Sequence, residues 1–115
     1  MEDSIGELKE KYENLIKRVE NDDYYKIDLT NRVNIYVCLR CGMITKTKDV
    51  DPGVTPFMIG CPICNGDAHS NFYNDTAPHL EPSHKWYRPR FDEFFKLNKY
   101  EKEHVLKGGL LLTQI

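Results

Sequence analysis

The chain has 115 residues, 40% of them hydrophobic and 30% charged, with a formal net charge of −2. That is the size and composition of one globular domain, with no low-complexity tract and no apolar run long enough to cross a bilayer. The charge is uneven: net −4 over residues 1–31, +2 over 32–66 and balanced thereafter. A chain that grips duplex DNA through many phosphates carries a stronger basic bias, so non-specific phosphate binding is disfavoured and a local basic patch is left open.

In chain order, Ser4-x-x-Glu7 has the form of a capping box. Behind it Ile5, Leu8, Tyr12, Leu15, Ile16 and Val19 recur every three or four residues. This predicts an amphipathic helix over about 5–20, ended by Asn21-Asp22-Asp23. Its apolar face either covers the rest of the domain or meets a partner or a second copy. The acidic start, Met1-Glu2-Asp3-Ser4, is no secretory leader, so the expected location is the cytoplasm. The Asn74-Asp75-Thr76 sequon is then a coincidence.

From Val33 the period becomes two. Val33, Ile35 and Val37 alternate with Asn34 and Tyr36 in a strand that runs into Cys38. Met43 to Thr47 is the expected returning strand, and Asp51-Pro52-Gly53 a turn. Thr55 to Ile59 reads as a third strand and Ser70 to Tyr73 as a fourth. Residues 74–85 show no period and read as a loop. Pro89 suits a first helical turn, with Phe91, Phe94, Phe95 and Leu97 behind it. Asn98-x-x-Glu101 resembles a second cap, for a helix that stops at Gly108. Gly109 to Ile115 reads as a terminal strand. The expected fold class is α+β: a small antiparallel ribbon of three or four strands with an N-terminal amphipathic helix and a short helical C-terminal segment. One domain spans 1–115, divided into a helix and its connection (1–31), the ribbon (32–74), and a loop with short helices and a last strand (75–115).

The strongest chemical signal is the pair Cys38-x-x-Cys41 and Cys61-x-x-Cys64, with 19 residues between Cys41 and Cys61. Two residues between cysteines let a tight turn aim both sulfurs at one point. Gly42 after the first pair and Gly66 after the second suit a departure with positive φ. Two such turns facing each other supply a tetrahedral thiolate set, the preferred closed site for structural zinc. Disulfides are the alternative, but a cytosolic chain keeps its thiols reduced. His69 lies close enough to displace one sulfur, although four thiolates already complete the shell.

Cys38-Leu39-Arg40-Cys41-Gly42 and Cys61-Pro62-Ile63-Cys64-Asn65-Gly66 resemble the paired knuckles of zinc-ribbon and rubredoxin proteins, over about residues 33–73. The resemblance implies a metal centre and leaves the function open, because ribbons serve polymerase subunits, transcription factors, ribosomal proteins and enzyme appendages. Rubredoxins hold iron and carry electrons. This chain departs from them in a shorter insert and in having no aromatic residue immediately before the second pair. The segment from His84 to Leu112, with Trp86-Tyr87-Arg88-Pro89 and His104-Val105-x-x-Gly108-Gly109-Leu110, resembles small uncharacterised zinc-ribbon proteins of bacteriophages and prophages, which implies an accessory intracellular protein and no activity.

Three roles suit the mixture of bases and aromatics in His84-Lys85-Trp86-Tyr87-Arg88-Pro89-Arg90: stacking on single-stranded nucleic acid, a protein contact, or packing on the ribbon. A nucleic-acid binder would use Arg40, Lys46, Lys48, Lys85, Arg88 and Arg90 together. A protein adaptor would use the N-terminal helix, or Trp86 and Tyr87. His79, His84 and His104 lack a nucleophile motif beside them, and no phosphate loop or His-Glu-x-x-His helix occurs. A closed four-thiolate shell has no open position for a catalytic water. The expectation is therefore a zinc-dependent recognition module and no enzyme, with a nucleic-acid-binding ribbon and an iron electron carrier as the alternatives.

Overall fold

The computed structural model describes residues 4–115. Ser4 Oγ accepts the Glu7 amide at 3.2 Å and starts α1, Ile5–Asn21. Asp22 ends this helix and caps a single 3-10 turn, Asp23–Tyr25. Six strands follow: β1 (Val33–Cys38), β2 (Ile44–Asp49), β3 (Met58–Gly60), β4 (Asp67–Ser70), β5 (His84–Tyr87) and β6 (Leu111–Gln114). Two short helices, α2 (Phe91–Phe95) and α3 (Lys99–Leu106), lie between β5 and β6. No helix among the described residues is long and apolar enough to cross a membrane.

The class is α+β as expected, with a sheet larger than a minimal ribbon. All six strands form one sheet in the order β3-β4-β1-β2-β5-β6. Every pairing is antiparallel except β2 with β5, where Thr47, Lys48 and Asp49 face His84, Lys85 and Trp86 in parallel register. A parallel pair needs a long crossover, and here residues 50–83 provide it. The expected loop over 74–85 therefore overlaps the first two residues of a strand, His84 and Lys85. Four of the expected strands also change bounds, the last of them shrinking from 109–115 to Leu111–Gln114. β2 ends at Asp49 rather than Thr47, its buried residues running on past the expected end. β3 is confined to Met58–Gly60, because Pro56 has no amide to pair. β4 ends at Ser70, because Phe72 and Tyr73 take left-handed φ values of 53° and 60°.

Alternation along the strands separates two faces. Tyr36, Cys38, Ile59, Ala68 and Trp86 are buried on one, closed over by Leu110. The Tyr36 hydroxyl donates to the Pro56 carbonyl at 2.7 Å, and Trp86 Nε1 donates to Thr47 Oγ1 at 3.1 Å. The second core lies under the helices. Leu8 and Leu15 of α1 meet Phe94 of α2 and Val105 of α3, with Leu111 of β6 packed against them. Each such residue contributes roughly 1.5–3 kcal/mol by burial. Two polar contacts fix α1 there: Tyr12 donates to the Pro89 carbonyl at 2.8 Å, and Arg18 to the Leu106 carbonyl at 2.6 Å, which occupies an open carbonyl at the end of α3. The apolar stripe of α1 is thus spent largely inside the chain, and only its first member, Ile5, is mostly exposed, at 60%.

A buried polar group ties the crossover to the first face. Asp49 Oδ2 accepts the Tyr73 hydroxyl at 2.8 Å and lies 3.6 Å from Arg32 Nε, and the Arg32 guanidinium stacks 3.8 Å over the Tyr73 ring. Burial pushes the Asp49 carboxyl above its ordinary value of 3.8, against the pull of Tyr73 and Arg32. Between that value and the raised one, the folded protein holds a proton that the unfolded chain releases. This contribution to stability is complete at low pH and is lost as pH rises through the raised value. Melting curves from about pH 4 to about pH 7 should show that decline, and Asp49→Asn should flatten it. An unchanged pH profile in the variant would refute the assignment.

Candidate metal centre

The two knuckles are built alike. The Cys38 amide donates to the Met43 carbonyl at 2.9 Å, and the Gly42 amide to the Cys38 carbonyl at 3.0 Å. In the second, the Cys61 amide donates to Gly66 O at 2.8 Å and the Asn65 amide to Cys61 O at 2.9 Å. Each knuckle is thereby a closed turn that hangs from a strand: β1 runs into Cys38, and β3 ends at Gly60. Leu39 N donates to Asp67 O at 2.9 Å and fastens one knuckle to the base of the other.

Gly42 leaves the first knuckle with φ 76°, as expected. At the second, the positive φ (59°) falls on Asn65, a residue type that tolerates the left-handed region. Gly66 serves a different need. A Cβ there would lie 2.9 Å from the Arg40 Cβ and 3.2 Å from the Cys64 sulfur, so its smallness lets the two knuckles close on each other. The Asn-Gly pair after Cys64 carried that signal in the sequence, but which of the two takes the turn depends on contacts from the other knuckle.

The four sulfurs converge. Cys38 and Cys64 are 3.5 Å apart, Cys41 and Cys61 3.6 Å, and all four lie within 4.8 Å of one another. These are free thiols, far beyond the ~2.0 Å of a disulfide bond. A tetrahedral ion with metal–sulfur distances of ~2.3 Å requires sulfur–sulfur edges of about 3.8 Å, and the cluster fits that requirement. Among the described residues, these four side chains are the metal-ligating group that comes together. Cys38 and Cys61 are buried, Cys64 is half-buried and Cys41 is exposed.

The electrostatics suit a cation. Amides of Cys41 and Arg40 point at the Cys38 sulfur and hold its pKa down to about 6, against burial. Those of Cys64 and Ile63 lower Cys61. Cys41 goes the other way: the Met43 amide favours its thiolate, but the Cys64 sulfur, burial and the two remaining sulfurs push it up to about 12. Sulfurs this close resist carrying four negative charges unless a positive ion sits among them.

The other residues singled out in the sequence scatter. His69 stays out of the cluster, its ring 5.1 Å from Phe57. His79 is exposed, His84 Nδ1 lies 2.7 Å from Ser83 Oγ, and His104 Nε2 lies 3.0 Å from Leu110 O. Lys46 is only 5% exposed and bonds Asp75 at 2.9 Å and the Ala77 carbonyl at 3.0 Å. Trp86 is buried in the first core. Arg88 is half-buried and bonds the Pro52 carbonyl, and its guanidinium lies 5.7 Å over Tyr25. Tyr87 is half-buried. Arg40 and Arg90 are exposed, and Lys48 and Lys85 lie side by side across β2 and β5. The structure therefore does not bring the six bases together on one exposed strip: Lys46 is occupied within the fold, and so is the Arg88 head group.

No protein-family model, curated protein or solved structure matches this chain.

Proposed function

We propose that the chain is a recognition module of a reducing, cytoplasmic compartment, in which one zinc ion holds the ribbon together and the partner is a protein. The convergence of four cysteine sulfurs within 4.8 Å carries the reading. Cys38, Cys41, Cys61 and Cys64 would be the ligands. Four thiolates fill a four-coordinate shell, so the ion serves structure rather than catalysis. The departures from the rubredoxin pattern favour zinc over iron. The burial of Lys46 and the engagement of Arg88 count against nucleic acid, which supports the protein-partner reading.

Two measurements test this. Zinc-supplemented protein should be colourless and carry about one zinc per chain, whereas iron at four thiolates absorbs visible light. A red preparation with about one iron per chain would turn the reading to electron transfer. Titration with single- and double-stranded DNA and RNA should show no tight binding at low or moderate salt. Salt-sensitive binding at about micromolar affinity or better, lost in Lys85→Ala with Arg90→Ala, would overturn the choice of a protein partner.

A further inference from the structure

The four sulfurs are alike as candidate ligands and unlike as targets. Cys41 is exposed, Cys64 is half-buried, and Cys38 and Cys61 are buried. The chain beside Cys41 is open as well: a Cβ added at Gly42 would meet no atom within 4 Å. A small oxidant dissolved in water therefore meets Cys41 first. The Cys61 sulfur lies 3.6 Å from it, in the other knuckle, and Cys38 and Cys64 make a second pair across the same gap at 3.5 Å. The backbones are already fastened there. Leu39 N donates to Asp67 O at 2.9 Å, and Gly66 is packed so closely on Arg40 that a Cβ would lie 2.9 Å from the Arg40 Cβ. Closing the Cys41–Cys61 contact from 3.6 Å to the ~2.0 Å of a disulfide therefore falls to the side chains rather than to the fold.

We infer that Cys41 is a site of oxidation by hydroperoxides, and that Cys61 resolves it into a disulfide joining the two knuckles. The Cys41 sulfur takes one oxygen from hydrogen peroxide; the O–O bond breaks, hydroxide leaves and a sulfenic acid is formed. The Cys61 thiolate attacks that sulfur, the S–S bond forms and a second hydroxide leaves. Two thiolates have lost two electrons, the peroxide has gained them, and two protons from solvent turn the hydroxides into water. A centre left with two thiolates no longer holds its ion. The knuckles stay joined all the same, because the new bond closes a loop between residues 20 positions apart. The ribbon thus exchanges one crosslink for another, and in a reducing compartment dithiol reductants reverse the exchange. The inference rests on the zinc reading and adds a chemical event at that centre.

The test treats the full zinc-supplemented chain with hydrogen peroxide. Released zinc is read with a chromogenic chelator, and the first disulfide is mapped by mass spectrometry after alkylation of the remaining thiols. Zinc should leave in step with the loss of two thiols, the mapped link should be Cys41–Cys61, and dithiothreitol with added zinc should restore both. The oxidised, metal-free chain should melt about 5 °C or more above the reduced chain stripped by a chelator, because the link spans the two knuckles. Cys41→His keeps four ligands, since imidazole also serves zinc, and should release its ion at least about tenfold more slowly under peroxide. Circular dichroism and zinc content check that this variant is folded and loaded; if it is not, the map of the unaltered chain decides alone. Any first link other than Cys41–Cys61 overturns the proposal. So does oxidation of Cys41 to a sulfinic acid with no disulfide, or equally fast release from loaded Cys41→His. A zinc-loaded chain whose thiols and metal survive peroxide sinks this inference and leaves the zinc reading standing. A chain that takes up no zinc sinks that reading itself.

Discussion

Cys61→Ser is expected to destabilise the protein by on the order of 4 kcal/mol or more, because on the zinc reading proposed above it removes a ligand of the ion that holds the ribbon together. In a chain of 115 residues that is a fall in melting temperature of about 15 °C. Zinc content should drop from about one per chain towards none. The size of the effect comes from two losses at one atom. The Cys61 sulfur belongs to the cluster, and the residue, 4% exposed, is also part of the core formed with Tyr36, Cys38, Ile59 and Ala68. Serine places a hydroxyl in that apolar site. Cys41 is exposed, so Cys41→Ser should cost metal affinity without the packing loss and be the milder of the two. A metal-free protein with unchanged melting and circular dichroism would show that the centre has no structural role.

Phe94→Ala should cost about 3–5 kcal/mol, the range for emptying a fully buried aromatic site. Phe94 is 0% exposed and stands where the three helices meet, its ring centroid 5.4 Å from that of Tyr12 and 6.1 Å from that of Phe91. Its loss removes the main surface on which α1 rests. Amide exchange should rise first in α1, while zinc stays at about one per chain, because the knuckles belong to the other core. A cost below about 1 kcal/mol would show that α1 is held by other contacts, and joint loss of zinc would show that the two cores are one unit.

What the sequence disclosed follows from how local each feature is. The helix read over 5–20 ends one residue later, since its capping serine and its three-to-four spacing are short-range properties. Asn98 and Glu101 make the reciprocal bonds of a capping box for the same reason. The cysteine spacing declared the metal centre because two residues between thiols constrain their own turn. β5 was illegible. His84-Lys85-Trp86-Tyr87 has no β-branched residue and sits near two prolines, and it becomes a strand because β2 and β6 bond it on both sides. The fate of the bases was illegible too. Nothing near Lys46 in the sequence announces Asp75, 29 positions away. The aromatic-basic mixture around Trp86 left stacking, a protein contact and packing all open, and the indole takes the packing role, turned inward to Thr47.

The sheet ends in stubs. β3 has three residues and β6 four, and these two strands are its outer members. An outer strand this short offers an incoming chain only two or three backbone bonds, too few to template a further strand. The molecule therefore resists growth into strand-exchanged polymers, and a partner cannot join it by extending the sheet. For the protein partner proposed above, specificity would therefore rest on side chains rather than on backbone pairing at the sheet's edges.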